Sequence, residues 1–167
     1  MSNTSPTTRV SELGHDVALI WAQPELRLDG DPTDTEFAQW AIQTLLDRGI
    51  APCELAVKIV DENESQALNE LYRHKFAPTN VLSFPLDGGL PDQRLLLGDL
   101  AICGEVVRRE AAAQDKTIRA HFAHMVVHGV MHLLGFDHVE TVEAEEMEQI
   151  EINILRTMGF PDPYEQS

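Results

Sequence analysis

The sequence predicts one domain in which helices and strands form mixed α/β layers. Its length of 167 residues is close to that of a typical single domain. Short apolar runs typical of strands lie mostly between longer segments whose apolar residues recur at helical spacing. Residues 15–160 contain neither an internal repeat nor a low-complexity linker, so we expect this range to fold as one unit. We expect residues 1–14 to be a flexible N-terminal tail and residues 161–167 to be a C-terminal tail.

The first part of the chain predicts a strand, a helix and a second strand. Residues 17–21 form a short apolar run bounded by polar residues. Thr33 and Glu36 have the spacing of a capping box, and Gly49 is placed to end the helix that this box begins. Residues 53–60 alternate apolar and polar side chains, which predicts a strand.

The remainder of the chain predicts four more helices and two more strands. Helices are expected over 63–73, 105–113, 117–134 and 141–158, strands over 81–84 and 95–103, and a loop over 87–93. Pro85 is expected to stop the first of these strands, because it has no amide hydrogen for a sheet. Gly98 indicates a bulge in the second. The apolar stripe of the last helix consists of Met147, Ile150, Ile154 and Met158.

The composition is that of a globular protein with a strongly acidic net charge. Hydrophobic residues make up 43% of the chain and charged residues 24%, which excludes collagen-like, mucin-like and wholly disordered proteins. The formal net charge of −16 argues against a general nucleic-acid coat protein, which places Lys and Arg at phosphates. Two cysteines do not make a disulfide framework, and the N-terminus lacks the pattern of a signal peptide. We therefore expect a cytoplasmic protein with reduced thiols and no membrane segment.

Three histidines form the most informative motif. His128 and His132 lie four residues apart on the long predicted helix, so their rings project from one face. Gly135 is placed to end that helix, and the chain can then bring His138 to the same point. Three neutral imidazoles suit Zn²⁺ and leave a fourth position for water, as in catalytic sites. Asp137 is expected to accept a hydrogen bond from one of the imidazoles.

Two further histidines precede this motif on the same helix. A ligand set of His124, His128 and His132 would span about two turns, roughly 11 Å, which is too wide for one zinc ion. We therefore expect His124 and His121 to lie on the helix surface or to support the ligands by hydrogen bonds. The spacing resembles the H-E-x-x-H motif of metalloproteases, but Gly129 stands where those enzymes carry the Glu general base. A protease is therefore not expected.

The histidine segment resembles the signature of the YbeY family of bacterial endoribonucleases, H-G-x-L-H-L-x-G-Y-D-H, with Met131 in place of Leu and Phe136 in place of Tyr. Three other segments resemble family motifs. These are Asn69–Arg73 (N-x-x-Y-R), Thr79–Pro85 (T-[DN]-V-L-S-F-P) and Leu97–Ile102 (L-G-D-I-x-I). The resemblance covers roughly residues 53–164, and its most specific part is the histidine segment.

This resemblance implies a single α+β domain in which a small mixed β-sheet packs with about five helices, with a metal site at the end of a long helix beside a cleft. It implies one zinc ion per subunit, held by His128, His132 and His138, and a functionally important Arg73 in the cleft. The implied activity is metal-dependent endonucleolytic cleavage of single-stranded RNA, including maturation of the 16S rRNA 3′ end and ribosome quality control. The implied partners are rRNA, the small ribosomal subunit and its associated proteins, with neither DNA nor a membrane among them.

The residues themselves favour phosphodiester hydrolysis. A metal ion can lower the pKa of bound water toward about 7, and a guanidinium fork matches the geometry of a phosphate. We hypothesise that metal-bound water attacks while Arg73 binds the phosphate, with attack by the RNA 2′-hydroxyl as the alternative. Ser83 is a further candidate near the substrate, although a strand hydroxyl bonded to backbone is the simpler interpretation. The Glu-rich run over 143–151 is interpreted as a solvated helix face.

Two other classes of function stay open at this point. One is a non-catalytic, zinc-containing ribosome assembly factor, and the other is a metal hydrolase of another phosphoester or of an amide. The distribution of charge is compatible with RNA, because residues 72–138 contain seven basic and seven acidic residues and the flanks carry the acidic excess. We therefore expect a local RNA site with weak affinity for arbitrary RNA.

Overall fold

Five strands form one mixed sheet in the computed structural model, which describes residues 7–90, 94–136 and 141–165. The strands are β1 (Thr7–Glu12), β2 (His15–Trp21), β3 (Cys53–Val60), β4 (Val81–Gly89) and β5 (Leu95–Cys103). Their spatial order is β1-β2-β3-β5-β4. The three central strands run parallel to one another, and β1 and β4 pair antiparallel at the two edges.

Five α-helices accompany this sheet within the described residues. They are α1 (Asp34–Asp47), α2 (Glu62–Arg73), α3 (Gly104–Ala113), α4 (Ile118–Leu133) and α5 (Thr141–Thr157), with a short 3-10 helix over Pro24–Leu26. The predicted capping box is present: the Thr33 hydroxyl accepts from the Glu36 amide, and the Glu36 carboxylate accepts from the Thr33 amide. The α+β class, the mixed sheet and the five helices are therefore confirmed. None of the described helices is long and apolar enough to cross a membrane.

Helix α4 is the central element of the core. It packs against three helices and two strands, and Phe122, Val126 and Val130 have no exposed surface. The Thr117 hydroxyl caps its first turn by accepting from the Ala120 amide. At its other end Gly135 adopts a φ of 98°, which lets the chain reverse as the sequence predicts. The helix thus holds its last turn at a defined place beside the sheet.

Two glycines allow α4 and the sheet to approach closely. A Cβ atom at Gly129 would lie 2.9 Å from a Leu100 methyl group and 3.1 Å from a Val81 methyl group. A Cβ atom at Gly98 would lie 2.4 Å from the Phe84 carbonyl oxygen and 2.8 Å from a Leu133 methyl group. Gly98 also has a φ of 148°, which L side chains rarely adopt. A side chain at position 129 would force the Leu100 and Val81 side chains to move, so this close packing favours glycine where H-E-x-x-H has Glu.

Residues at both ends of the described chain pack on the domain instead of forming free tails. Residues 7–12, expected within a flexible tail, form β1 and pair along its full length with β2. Backbone hydrogen bonds stabilise this polar edge strand, and Val10 is its one apolar residue that packs against the core. The sequence of β1 therefore lacks the alternation of apolar and polar residues that predicts a strand. Near the other end, the Tyr164 hydroxyl donates a hydrogen bond to Glu151.

The strand predicted to stop at Pro85 continues beyond it. β4 runs to Gly89, so it includes the first part of the predicted loop over 87–93. Pro85 is tolerated because β4 is an edge strand, and the register shifts between Pro85 and Gly88. The predicted bulge is present in β5, where Glu54 pairs with Leu96 and the next residue of β3 pairs with Gly98.

Replacing Gly98 by alanine is expected to destabilise the fold by about 2–4 kcal/mol, because the new methyl group meets backbone and the residue must hold a positive φ. Urea unfolding measures the change. Gly89→Ala is the matched control, since a Cβ atom there meets nothing within 4 Å and the variant should unfold within about 1 kcal/mol of the wild type. Equal stabilities of the two variants would contradict this account of the bulge.

The two cysteines are expected to be inert in the native protein. Both are fully buried, and burial raises the pKa of the Cys53 thiol to about 11. Since the thiolate is the reactive form, a disulfide reagent at pH 8 should label neither residue until the chain unfolds. Rapid labelling of Cys53 in folded protein, followed by mass spectrometry of the labelled peptide, would contradict the described packing.

Candidate metal centre and cleft

The last turns of α4 bring two of the predicted ligands together. The Nε2 atoms of His128 and His132 are 3.1 Å apart. Two ligands that each lie about 2.0–2.1 Å from one tetrahedral zinc ion are about 3.3 Å apart, so this pair has nearly the spacing of bound ligands. The side chain of His128 is 19% exposed, and His132 is half-buried. The pair therefore lies at a boundary between core and solvent.

The other ring nitrogen of His128 meets a carboxylate from α5. His128 Nδ1 lies 2.8 Å from Oε2 of Glu151, a residue with no exposed surface. An ionised carboxylate only accepts hydrogen bonds, so Nδ1 is the protonated nitrogen of neutral His128 and Nε2 carries the lone pair. This contact leaves Nε2 of His128 in the form that a metal ion requires.

Two further groups hold Glu151 from the opposite side. His124 Nε2 lies 3.0 Å from Oε1, and the Tyr164 hydroxyl donates to the same oxygen at 2.5 Å. Burial alone raises the pKa of the Glu151 carboxyl, but hydrogen bonds from His124, His128 and Tyr164 lower it to about 2. Burial lowers the pKa of His124, which favours the neutral imidazole. Glu151 is therefore a buried negative charge stabilised by hydrogen bonds from His124, His128 and Tyr164, and neither Lys nor Arg pairs with it within the described residues.

These contacts correct one sequence interpretation and distinguish between the two alternatives of another. The run over 143–151 is not solvated throughout, because Glu151 is wholly buried. The available signal was its position: Glu151 falls four residues after Met147 and three before Ile154, on the buried stripe of α5. Likewise His124 is only 7% exposed and hydrogen-bonds to Glu151, so it belongs to the group that supports His128 and not to the surface.

His121 lies in a separate polar pair. It is 3% exposed, so it is not a surface residue either, and its Nε2 is 2.9 Å from Oε1 of Glu110. Glu110 also accepts a hydrogen bond from the side chain of Asn80, the residue immediately before β4. This arrangement ties α3 and α4 to the start of the strand that lines the cleft.

His124, His128 and Glu151 also form a group that could hold a metal ion by itself. One ligand atom from each of these residues lies within 4.8 Å of the others. Two arrangements are thus compatible with the described side chains, one centred on Nε2 of His128 and His132, the other on Glu151. His138 and Asp137, the remaining sequence candidates, lie outside the described residues.

A cleft of about 790 Å³ opens beside the histidine pair. Its walls come from the end of α2, from β4 and from the end of α4. Arg73 lines it together with His128 and His132, so the three predicted residues from two distant segments face one space. Arg73 is exposed and has no ion-pair partner within the described residues. Its guanidinium is therefore available to an anionic ligand in the cleft.

Ser83 also lines the cleft, but its hydroxyl is engaged. It donates a hydrogen bond of 2.9 Å to the Gly129 carbonyl oxygen. This is the simpler of the two sequence interpretations, a strand hydroxyl bonded to backbone. The bond joins β4 to the turn of α4 that carries His128, so Ser83 helps to position the cleft wall.

Comparisons with known proteins agree with this fold. The family model described as Endoribonuclease YbeY matches residues 26–159. The solution structure of TM1509 (VT1) from Thermotoga maritima is similar in fold, with a TM-score of 0.50 and 22% sequence identity, and the match covers 81% of this chain and 96% of that chain. Because the family model spans most of the sequence, this chain belongs to the YbeY family of endoribonucleases.

Proposed function

We propose that this protein is a metal-dependent endoribonuclease that cleaves single-stranded RNA in the cytoplasm, acting in maturation of the 16S rRNA 3′ end and in ribosome quality control. The small ribosomal subunit and its associated proteins supply the substrate. The observation that carries the proposal is the shared cleft, in which Arg73 faces the histidine pair. A phosphate-binding guanidinium opposite a potential metal centre is an arrangement that suits phosphodiester cleavage.

One zinc ion per subunit is the proposed cofactor, held by His128, His132 and His138. The donor chemistry fits, because two imidazole Nε2 atoms lie 3.1 Å apart and Glu151 contacts Nδ1 of one of the two rings. The buried charge of Glu151 fits as well, since a nearby dication would compensate it. When bound, such an ion lowers the pKa of water and polarises a phosphoryl oxygen.

Three residues of the chain have distinct roles in this proposal. Arg73 binds the scissile phosphate and fixes its distance from the histidines. Glu151 keeps His128 in the tautomer with Nε2 unprotonated and facing the cleft. Ser83 joins β4 to α4 and so keeps the two cleft walls in register.

Removing either side of the cleft should abolish cleavage. Arg73→Ala and His132→Ala are each expected to lower the rate of single-stranded RNA cleavage at least about 100-fold, because the first removes the phosphate-binding group and the second removes a proposed metal ligand. Arg109→Ala, at an exposed arginine paired with Glu62 on another surface, is the control and should cleave normally. Circular dichroism and urea unfolding check that all three variants fold. Full activity of nuclease-free His132→Ala would overturn the proposal, whereas ribosome binding without any cleavage would favour the assembly-factor alternative.

Metal content separates the two possible ligand sets. We expect purified wild-type protein to contain one zinc ion per chain, His132→Ala to lose it, and His124→Ala to retain it, as measured by plasma mass spectrometry. Retention in His132→Ala together with loss in His124→Ala would instead assign the metal to His124, His128 and Glu151.

Glu151 should set the affinity for that metal without being a ligand. Glu151→Gln keeps the size of the side chain but removes its charge, and we expect zinc affinity to fall about 10–100-fold in competition with a chromophoric chelator. Glu145→Gln is the matched control, since it makes the same change at an exposed position of α5. Equal affinities of the two variants would contradict the role assigned to Glu151.

A further inference from the structure

Exposed aromatic rings flank Arg73 where α2 ends. Tyr72 is 60% exposed and Phe76 is 80% exposed, although aromatic residues make up only 6% of the chain. Within the described residues, the other exposed aromatic ring is that of Tyr164, which hydrogen-bonds to Glu151. Rings that could have joined the core are therefore presented to solvent beside the residue assigned to the phosphate.

The backbone that carries Phe76 is fixed in place. His74 adopts a left-handed conformation with a φ of 57° and turns the chain back along α2. The Asn69 side chain then donates to the Ala77 carbonyl oxygen at 2.8 Å, and the Ser65 hydroxyl accepts from the Thr79 amide at 2.9 Å. Both anchoring side chains are buried. Phe76 is thus presented on a tied segment, which lowers the entropic cost of using its ring to bind a ligand.

The aromatic surface is continuous with the cleft. The Tyr72 ring packs edge-to-face on Phe84, with ring centroids 4.6 Å apart, and both residues line the cleft that contains Arg73. The three residues between Tyr72 and Phe76 are Arg73, His74 and Lys75, all of them exposed. In a protein of net charge −16, this segment combines exposed rings with basic side chains.

We propose that Tyr72 and Phe76 form a stacking platform for unpaired RNA bases next to the phosphate bound by Arg73. The inference rests on the proposed function and adds how the substrate strand is held. Bases stack on aromatic side chains whatever their sequence, while cations contact the neighbouring phosphates. Lys75 is placed to make such a contact. A base in a duplex has both faces occupied by its neighbours, so the platform selects single-stranded RNA.

Substitutions at Phe76 distinguish stacking from general apolar contact. Phe76→Ala and Phe76→Leu both remove the planar ring, whereas Phe76→Trp retains one. We expect the first two to raise the Kd for a fluorescein-labelled single-stranded RNA 12-mer about tenfold, and Phe76→Trp to bind within about twofold of the wild type. Leu71→Ala is the control, because Leu71 is a 68% exposed apolar residue in the last turn of α2, next to Tyr72. It should bind as the wild type does.

The same variants then separate the platform from the proposed activity. Anisotropy measures Kd, and cleavage of the same oligonucleotide measures KM and kcat. We expect Phe76→Ala to raise KM about tenfold with kcat nearly unchanged. We expect Lys75→Ala to reduce the slope of log Kd against the logarithm of the salt concentration by about one. If wild-type protein binds this RNA without cleaving it, the proposed function fails while the Kd comparison still tests the platform.

Three results would overturn the platform. One is absence of RNA binding by the wild type. Another is equal Kd values for Phe76→Ala and the wild type. The third is a loss in Phe76→Ala of co-sedimentation with small ribosomal subunits at unchanged RNA affinity, which would identify the exposed rings as a protein-docking surface.

Discussion

A carboxylate with no exposed surface is the constraint on which the functional site depends. Glu151 stays ionised in the core because His124, His128 and Tyr164 all hydrogen-bond to it. Burying a charge is costly unless partners satisfy it, so α4, α5 and the C-terminal segment must pack in one arrangement for the fold to be stable. That arrangement is the one in which Nε2 of His128 faces His132 and the cleft. The contacts that stabilise the buried charge of Glu151 are thus the same contacts that orient His128 in the site.

The sheet positions the cleft wall that faces the histidines of α4. Gly129 lets α4 lie directly on Leu100 and Val81, and the Ser83 hydroxyl bonds to the Gly129 carbonyl oxygen. These contacts set the distance between the helix that carries the histidines and the strand that forms the cleft wall. The end of α2 lines the same cleft as β4, so Arg73 reaches the space beside the histidines from a segment more than fifty residues away.

Local patterns in the sequence predicted much of the fold. The capping box of α1, the alternation in β3 and the glycine that ends α4 are signals carried by neighbouring residues, and each was correct. β1 and the continuation of β4 beyond Pro85 were missed, because both depend on pairing with a neighbouring strand and not on their own residues. The spacing of the histidines predicted that His128 and His132 share one face of α4, and the family resemblance implied that Arg73 lies in the cleft beside them. Glu151 was missed although it falls on the predicted apolar stripe of α5, because the preceding glutamates, several of them exposed, give the whole run the charge pattern of a solvated face.

The central claim is that Glu151 supports a metal ligand and is not one itself. A crystal structure of zinc-loaded protein, with anomalous diffraction recorded at the zinc edge, tests it most directly. We expect one zinc peak per chain, at bonding distance from Nε2 of His128 and of His132, with the Glu151 carboxylate still hydrogen-bonded to Nδ1 of His128. A peak bonded to Glu151 and His124, away from His132, would contradict it.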